Sequence, residues 1–247
     1  MFFSFRGTAY NGWQVQPGKH TVQGVLAKAL GTVLGEQVTI TGAGRTDTGV
    51  HAAFFCAHFD SARNDLDVDG QIFYNLNSIL PPDIAVSKIA RVKPDANARF
   101  DALSRTYQYT ITTVKDPFVT DTAWLLYWKL DIGLLNAASA ILLNHNDFTS
   151  FSRLHGGNKT NFCKVSYARW DEEPGRLVFT ITADRFLRNM VRAIVGTLLE
   201  LGQHKITLDG FQQIIESRNR SSAGMSMPAQ GLYLIDIQYP GDIFLPF

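Results

Sequence analysis

Residues 42–52 read GAGRTDTGVHA, which sets a carboxylate, Asp47, two residues from a guanidinium, Arg45, in a segment with three glycines within eight residues. Glycines permit backbone angles that other residues avoid, so such a loop can hold its two charged side chains in a fixed geometry. A carboxylate held in this way can act as a nucleophile or as a general base. The same residue types also build an ordinary hairpin turn, because Asp and Gly favour turns for local reasons. The loop is not a dinucleotide fingerprint: GxGxxG is unmet, and a strand follows where a helix is required. It is not a phosphate-binding P-loop either, since neither GKS nor GKT follows.

A second group interleaves cations with rings. Arg99 and Phe100, then Arg105, Tyr107 and Tyr109, lie on or beside one strand, where rings can stack on an exposed base and arginines can hold phosphates. A core strand with a solvated edge would show the same pattern. Arg153, Lys159, Lys164 and Arg169 follow, with no acid between Asp147 and Asp171. Arg185, Arg188 and Arg192 come next, and the i, i+4 spacing of Arg188 and Arg192 predicts a shared helix face. Charge runs are usually solvated faces. Here the acids lie elsewhere, which leaves a basic region suited to a phosphate-bearing ligand.

Other chemistry is excluded by what is missing. The six histidines show no metal-ligand spacing, no GxSxG elbow marks a serine hydrolase, and two cysteines, Cys56 and Cys163, make no disulfide framework. Cys56 reads as a core residue, and Trp13 and Trp124 as packing residues. The chain has 247 residues, is 45% hydrophobic and carries a net charge of +1, so it buries a substantial core without a uniformly basic surface. No apolar run approaches the roughly 18–20 residues of a membrane span, and no leader pattern precedes the first strand. The expected setting is the reducing cytoplasm.

These groups need elements to position them. The first half reads strand 2–5, helix from the Thr21 cap to Gly35, strand 38–41, strand 50–59, helix 70–80 stopped by Pro81, and strand 84–92. The second half reads strand 107–114, a helix capped by Asp131, a hairpin of 161–171 and 176–183 around Glu173-Pro174-Gly175, an amphipathic helix 186–201 closed by Gly202, a helix from Thr207, and strand 232–238. Two βαββαβ orders predict an α+β fold of two ferredoxin-like halves, residues 1–98 and 99–247, sharing a mainly antiparallel central sheet with flanking helices. The polar stretch 152–160, SRLHGGNKT, is the best candidate for a mobile loop.

The motif GRTDTGVHA resembles the signature loop of the tRNA pseudouridine synthase A family. Likeness continues in GTAYNGWQ (7–14), TVQ (21–23), ARFDA with Arg105-Thr106-Tyr107, DFTSF (147–151), FLRNMVR (186–192) and PAQGL (228–232). The resemblance implies an isomerase converting uridine to pseudouridine at positions 38, 39 and 40 of the tRNA anticodon stem-loop. It implies base flipping, no metal or other cofactor, and a homodimer. By resemblance Asp47 is the catalytic aspartate, through either a nucleophilic or a glycal route. Arg192 is its cationic neighbour, Tyr107 packs on the target base and either stacks or also removes the C5 proton, and Arg45 contacts the RNA. Arg6 departs from the family's usual aspartate before Gly-Thr. Met225 and Met227, before Pro228, are expected to shape a pocket wall. A non-catalytic RNA binder and a carboxylate-dependent glycosidic hydrolase are the competing readings.

Overall fold

The computed structural model describes residues 1–66, 69–153 and 160–245. The chain divides into two compact units, Met1–Leu103 with Leu234–Phe247, and Ser104–Tyr233. The fold is α+β, with mainly antiparallel strands and, among the described residues, five α-helices.

In the first unit β1 (Phe2–Phe5) runs antiparallel between β3 (His51–His58) and β4 (Ile84–Lys88), and the short β2 (Thr41–Gly42) pairs with β3. Helices α1 (Val22–Leu34) and α2 (Gly70–Ile79) complete the βαββαβ order. Local chemistry sets their ends. The Thr21 side chain accepts from the Gly24 N–H, and Gly35 closes α1 in the left-handed region at φ 69°. Asp69 caps α2, and Leu80 turns extended as a residue before proline must.

Strand 38–41 is largely absent. The Gln23 Nε2 donates to the Ile40 carbonyl at 2.7 Å, so a side chain takes the acceptor that a ladder would use. Val38 and Ile40 are still buried. The strand from Ile84 also ends early, because Val92 leaves it to bridge Phe244 and Lys93 N–H bonds the Ile243 carbonyl.

In the second unit β5 (Ser104–Thr112), β8 (Arg176–Ala183) and β7 (Val165–Glu173) lie side by side and antiparallel, with β6 (Trp124–Leu125) parallel to β5. Gly175 makes the β7–β8 turn at φ 73°. Helices α3 (Ile132–Ile141), α4 (Met190–Gly202) and α5 (Leu208–Glu216) accompany them, with Asp131 capping α3 and Thr207 capping α5. Ala193, Ile194, Val195 and Leu198 of α4 are fully buried, as are Tyr109, Ile111, Phe179 and Ile181 on β5 and β8. The last strand, β9 (Leu232–Gln238), lies beside β3, and its residues from Leu234 onward belong to the first unit. The C-terminal segment is fixed there by the Tyr239 hydroxyl on the Ala98 carbonyl (2.6 Å) and by a Lys93–Asp242 ion pair (2.7 Å).

Each unit carries one asparagine that reaches from a helix to a strand backbone. Asn77 of α2 accepts from the Val86 N–H at 2.9 Å and donates to the Val86 carbonyl at 3.0 Å. Asn136 of α3 does the same to Trp170, at 2.8 and 3.0 Å. In both cases the amide satisfies a donor and an acceptor that no neighbouring strand covers.

Candidate active site

In the first unit, the 42–52 loop lies against the segment that follows β1. Three backbone bonds join or brace them: Trp13 N–H to the Thr46 carbonyl (3.3 Å), Gly49 N–H to the Tyr10 carbonyl (3.4 Å), and Val50 N–H to the Asp47 carbonyl (3.2 Å). Asp47 is therefore held at the crest of a turn pinned on both sides, half-buried, with Arg45 exposed beside it. Of the three glycines in the loop, only Gly49 adopts a positive φ, 79°. The loop's shape depends on packing more than on the glycine freedom the sequence suggested.

Neighbouring side chains make that support rigid. Tyr10 is buried, its hydroxyl donates to Asp83 at 2.6 Å, and its ring stacks on His20 at 4.9 Å. Burial, and then the bond to Asp83, push the Tyr10 hydroxyl well above its ordinary ionisation range, so it remains a donor. Trp13 is buried as expected, against Phe55 and Phe3. Arg6 is exposed, with its N–H on the Asp83 carbonyl at 2.8 Å.

In the second unit, Tyr107 sits on β5 opposite Ile181 of β8, half-buried. Its ring meets Phe186 edge-to-face, with centroids 5.1 Å apart and planes at 82°. Tyr109, two residues on, is wholly buried and donates to the Pro228 carbonyl at 2.8 Å. It is thus a core residue, whereas Tyr107 is partly open. Arg105 on the same strand holds the Asp184 carbonyl at 2.8 Å.

Helix α4 starts at Met190, four residues later than the periodicity predicts. Asn189 stands in the left-handed region at φ 69°, which breaks the helix before Phe186, Leu187 and Arg188. The proposed shared face of Arg188 and Arg192 is therefore corrected: Arg188 is exposed ahead of the helix, and Arg192 is half-buried within it. Arg192 Nε donates to the Met227 carbonyl, and Met227 N–H returns a bond to the Arg192 carbonyl at 3.1 Å. Met227 is buried, while Met225 is 74% exposed. The Asn189 amide and the Arg220 guanidinium both donate to Ser226, which fixes the segment between the two methionines.

The basic region is partly assembled by one backbone and one side-chain hydrogen bond. Arg153 N–H bonds the Arg188 carbonyl at 3.1 Å, and Arg185 Nη1 bonds Thr160 Oγ1 at 3.2 Å. Arg169 is instead paired with Asp171 at 3.0 Å on an exposed strand. Lys159 and His155 lie outside the described residues. Cys56 and Cys163 are both buried, and burial pushes each thiol up to about 12, so both are neutral packing groups. Among the described residues, no group of three or more His, Cys, Asp or Glu is placed to hold a metal ion, and no helix is long and apolar enough to cross a membrane.

Two contacts escaped the sequence reading. The Met227 carbonyl on Arg192 is a backbone atom and leaves no trace in residue type. Phe186, the ring against Tyr107, lies in the FLRNMVR motif, ahead of the helix rather than within it.

A family model described as tRNA pseudouridine synthase matches residues 138–240. The tRNA pseudouridine synthase A of Bacteroides fragilis is 51% identical over 245 residues, covering 99% of this chain and 97% of the relative. The proteins of that name from Parabacteroides distasonis and Clostridium acetobutylicum are 48% and 38% identical, each over at least 95% of both chains.

Proposed function

Since the chain belongs to the tRNA pseudouridine synthase A family, we propose that it converts uridine to pseudouridine at positions 38, 39 and 40 of the tRNA anticodon stem-loop, with Asp47 as the catalytic group. The observation that carries this reading is the half-buried Asp47 on a loop braced by the bonds at Thr46, Asp47 and Gly49. A carboxylate held in this way meets a reacting sugar without reorganising.

The reaction breaks the C1′–N1 bond, turns the uracil, joins C5 to C1′ and releases the C5 proton, while N1 takes up a proton. Nothing is gained or lost overall. Asp47 serves either by attacking C1′ or by removing a sugar proton in a glycal route. Tyr107, backed by Phe186, offers a ring to the flipped uracil. Arg45 steadies the extruded nucleotide, and Arg192 is a further cation for binding the RNA substrate. Flipping costs a few kcal/mol of unstacking, which stacking and phosphate contacts offset. Arg153, Arg185 and Arg188 suit the phosphates of an RNA stem. The same reading makes the enzyme a cytoplasmic homodimer that takes the anticodon arm without a cofactor.

Release of tritium from C5-labelled uridine in tRNA tests this. Release by the parent protein, and none by Asp47→Ala with tRNA binding retained, supports the reading. Binding without release in either protein favours a pure RNA binder, and appearance of free uracil favours a hydrolase.

A further inference from the structure

Where β1 ends, its pairing with β3 stops after Phe5 opposite Ala52. Beyond it the Arg6 N–H goes to the Asp83 carbonyl, and the Gly7 N–H finds a side chain in place of a strand carbonyl. It donates to Nδ1 of His51 at 3.0 Å, and His51 is only 1% exposed. A nitrogen that accepts a hydrogen bond carries no proton, so His51 is neutral with its proton on Nε2. The imidazole thereby adds one rung to the ladder beyond the last backbone pair.

That rung has a consequence for Asp47. Gly7 is pressed onto Val50 so closely that a β-carbon on it would stand 2.0 Å from the Val50 carbonyl oxygen. From Gly7 the chain runs along the loop to Trp13, which holds Thr46. The contact between the two segments is thus fastened at one end by His51–Gly7 and at the other by Thr46–Trp13, and Asp47 lies between the fastenings. We propose that His51 is a positioning residue for Asp47, acting through its Nδ1 acceptor on Gly7 rather than through contact with substrate. This inference rests on the reading of Asp47 given above.

The test separates the acceptor from the ring. Asparagine places its Oδ1 where Nδ1 stands, whereas glutamine places its oxygen one bond further out, and leucine has no acceptor. Because misplacing a catalytic group by about 1 Å costs about 100-fold in rate, His51→Gln and His51→Leu are expected to lose about that much kcat with tRNA affinity little changed. His51→Asn should recover kcat to within about tenfold of the parent by the same argument. Equal losses in Asn and Gln, or no loss in either, overturn the proposal. If His51→Leu fails to fold, the Asn–Gln comparison decides, with each thermal midpoint measured alongside. Asp47→Ala is assayed in parallel. Activity surviving in Asp47→Ala overturns the catalytic reading and this inference with it, whereas activity lost there, with Asn and Gln alike at position 51, overturns the positioning role alone.

Discussion

The indole of Trp13 lies directly on Gly42, where a β-carbon would stand 2.5 Å from Cε2 of the ring. Trp13 cannot yield, because Phe55 stacks on it at 4.6 Å and Phe3 at 5.7 Å. Its backbone N–H holds the Thr46 carbonyl, so a push on the ring reaches the residue before Asp47. Gly42→Ala is therefore an overpacking change, expected to cost about 1–3 kcal/mol of unfolding free energy. Denaturant titration reads that loss, and kcat should fall further than stability alone explains.

Asn189 is the residue that delays α4 and leaves Phe186 beside Tyr107. Its left-handed conformation costs a β-branched side chain about 1–2 kcal/mol or more, and glycine nothing. Asn189→Val should be destabilised by at least that amount and bind tRNA more weakly. Asn189→Gly should lose only the bond to Ser226. Thermal melts and tRNA titrations of the two variants check the order.

The Tyr107 ring is expected to contribute to binding by stacking, a contact worth about 1–3 kcal/mol per base. Tyr107→Ala should raise the tRNA Kd by about tenfold or more on that scale, and Tyr107→Phe should not. Phe186→Ala, which removes the edge against Tyr107, should fall between them. Filter binding at one fixed salt concentration measures all three.

Both thiols should resist alkylation in the native protein at pH 8 and react once it is unfolded, as mass spectrometry with iodoacetamide would show. Burial raises each folded thiol to about 12. In the unfolded chain a thiol ionises near about 8.5. Between those values the folded state holds the more protons, so stability falls as pH rises through this window. Cys56→Ala with Cys163→Ala should flatten that alkaline decline in a melt series.

The elements that could be read directly were those fixed by neighbours in sequence. Thr21, Asp131 and Thr207 cap helices from within one turn, and Gly35 and Gly175 take the left-handed angles their positions demand. Asp47 and Arg45 stand out as candidates because their loop keeps its charged groups in one short run. The features that escaped depend on distant partners. Nothing near Ile40 says that Gln23 will take its carbonyl, and nothing near His51 says that a glycine 44 residues away needs an acceptor. Asn189 lies in a run with helical spacing, yet it takes the left-handed region and its amide donates to Ser226, a partner 37 residues away. Tyr107 and Tyr109 alternate correctly for one face, yet burial deepens along the strand and divides an open ring from a core one.

The asparagine amides on Val86 and Trp170 have a bearing on association. β4 and β7 are the outermost strands of their units' sheets, the places where another molecule's strand could add and begin a fibre. At Val86 and at Trp170 both backbone groups facing outward are already occupied. An incoming strand would have to displace two hydrogen bonds at each before making its own. The molecule thus blocks edge-to-edge growth from within, and a dimer would have to form through side-chain surfaces at these points rather than by extending the sheet.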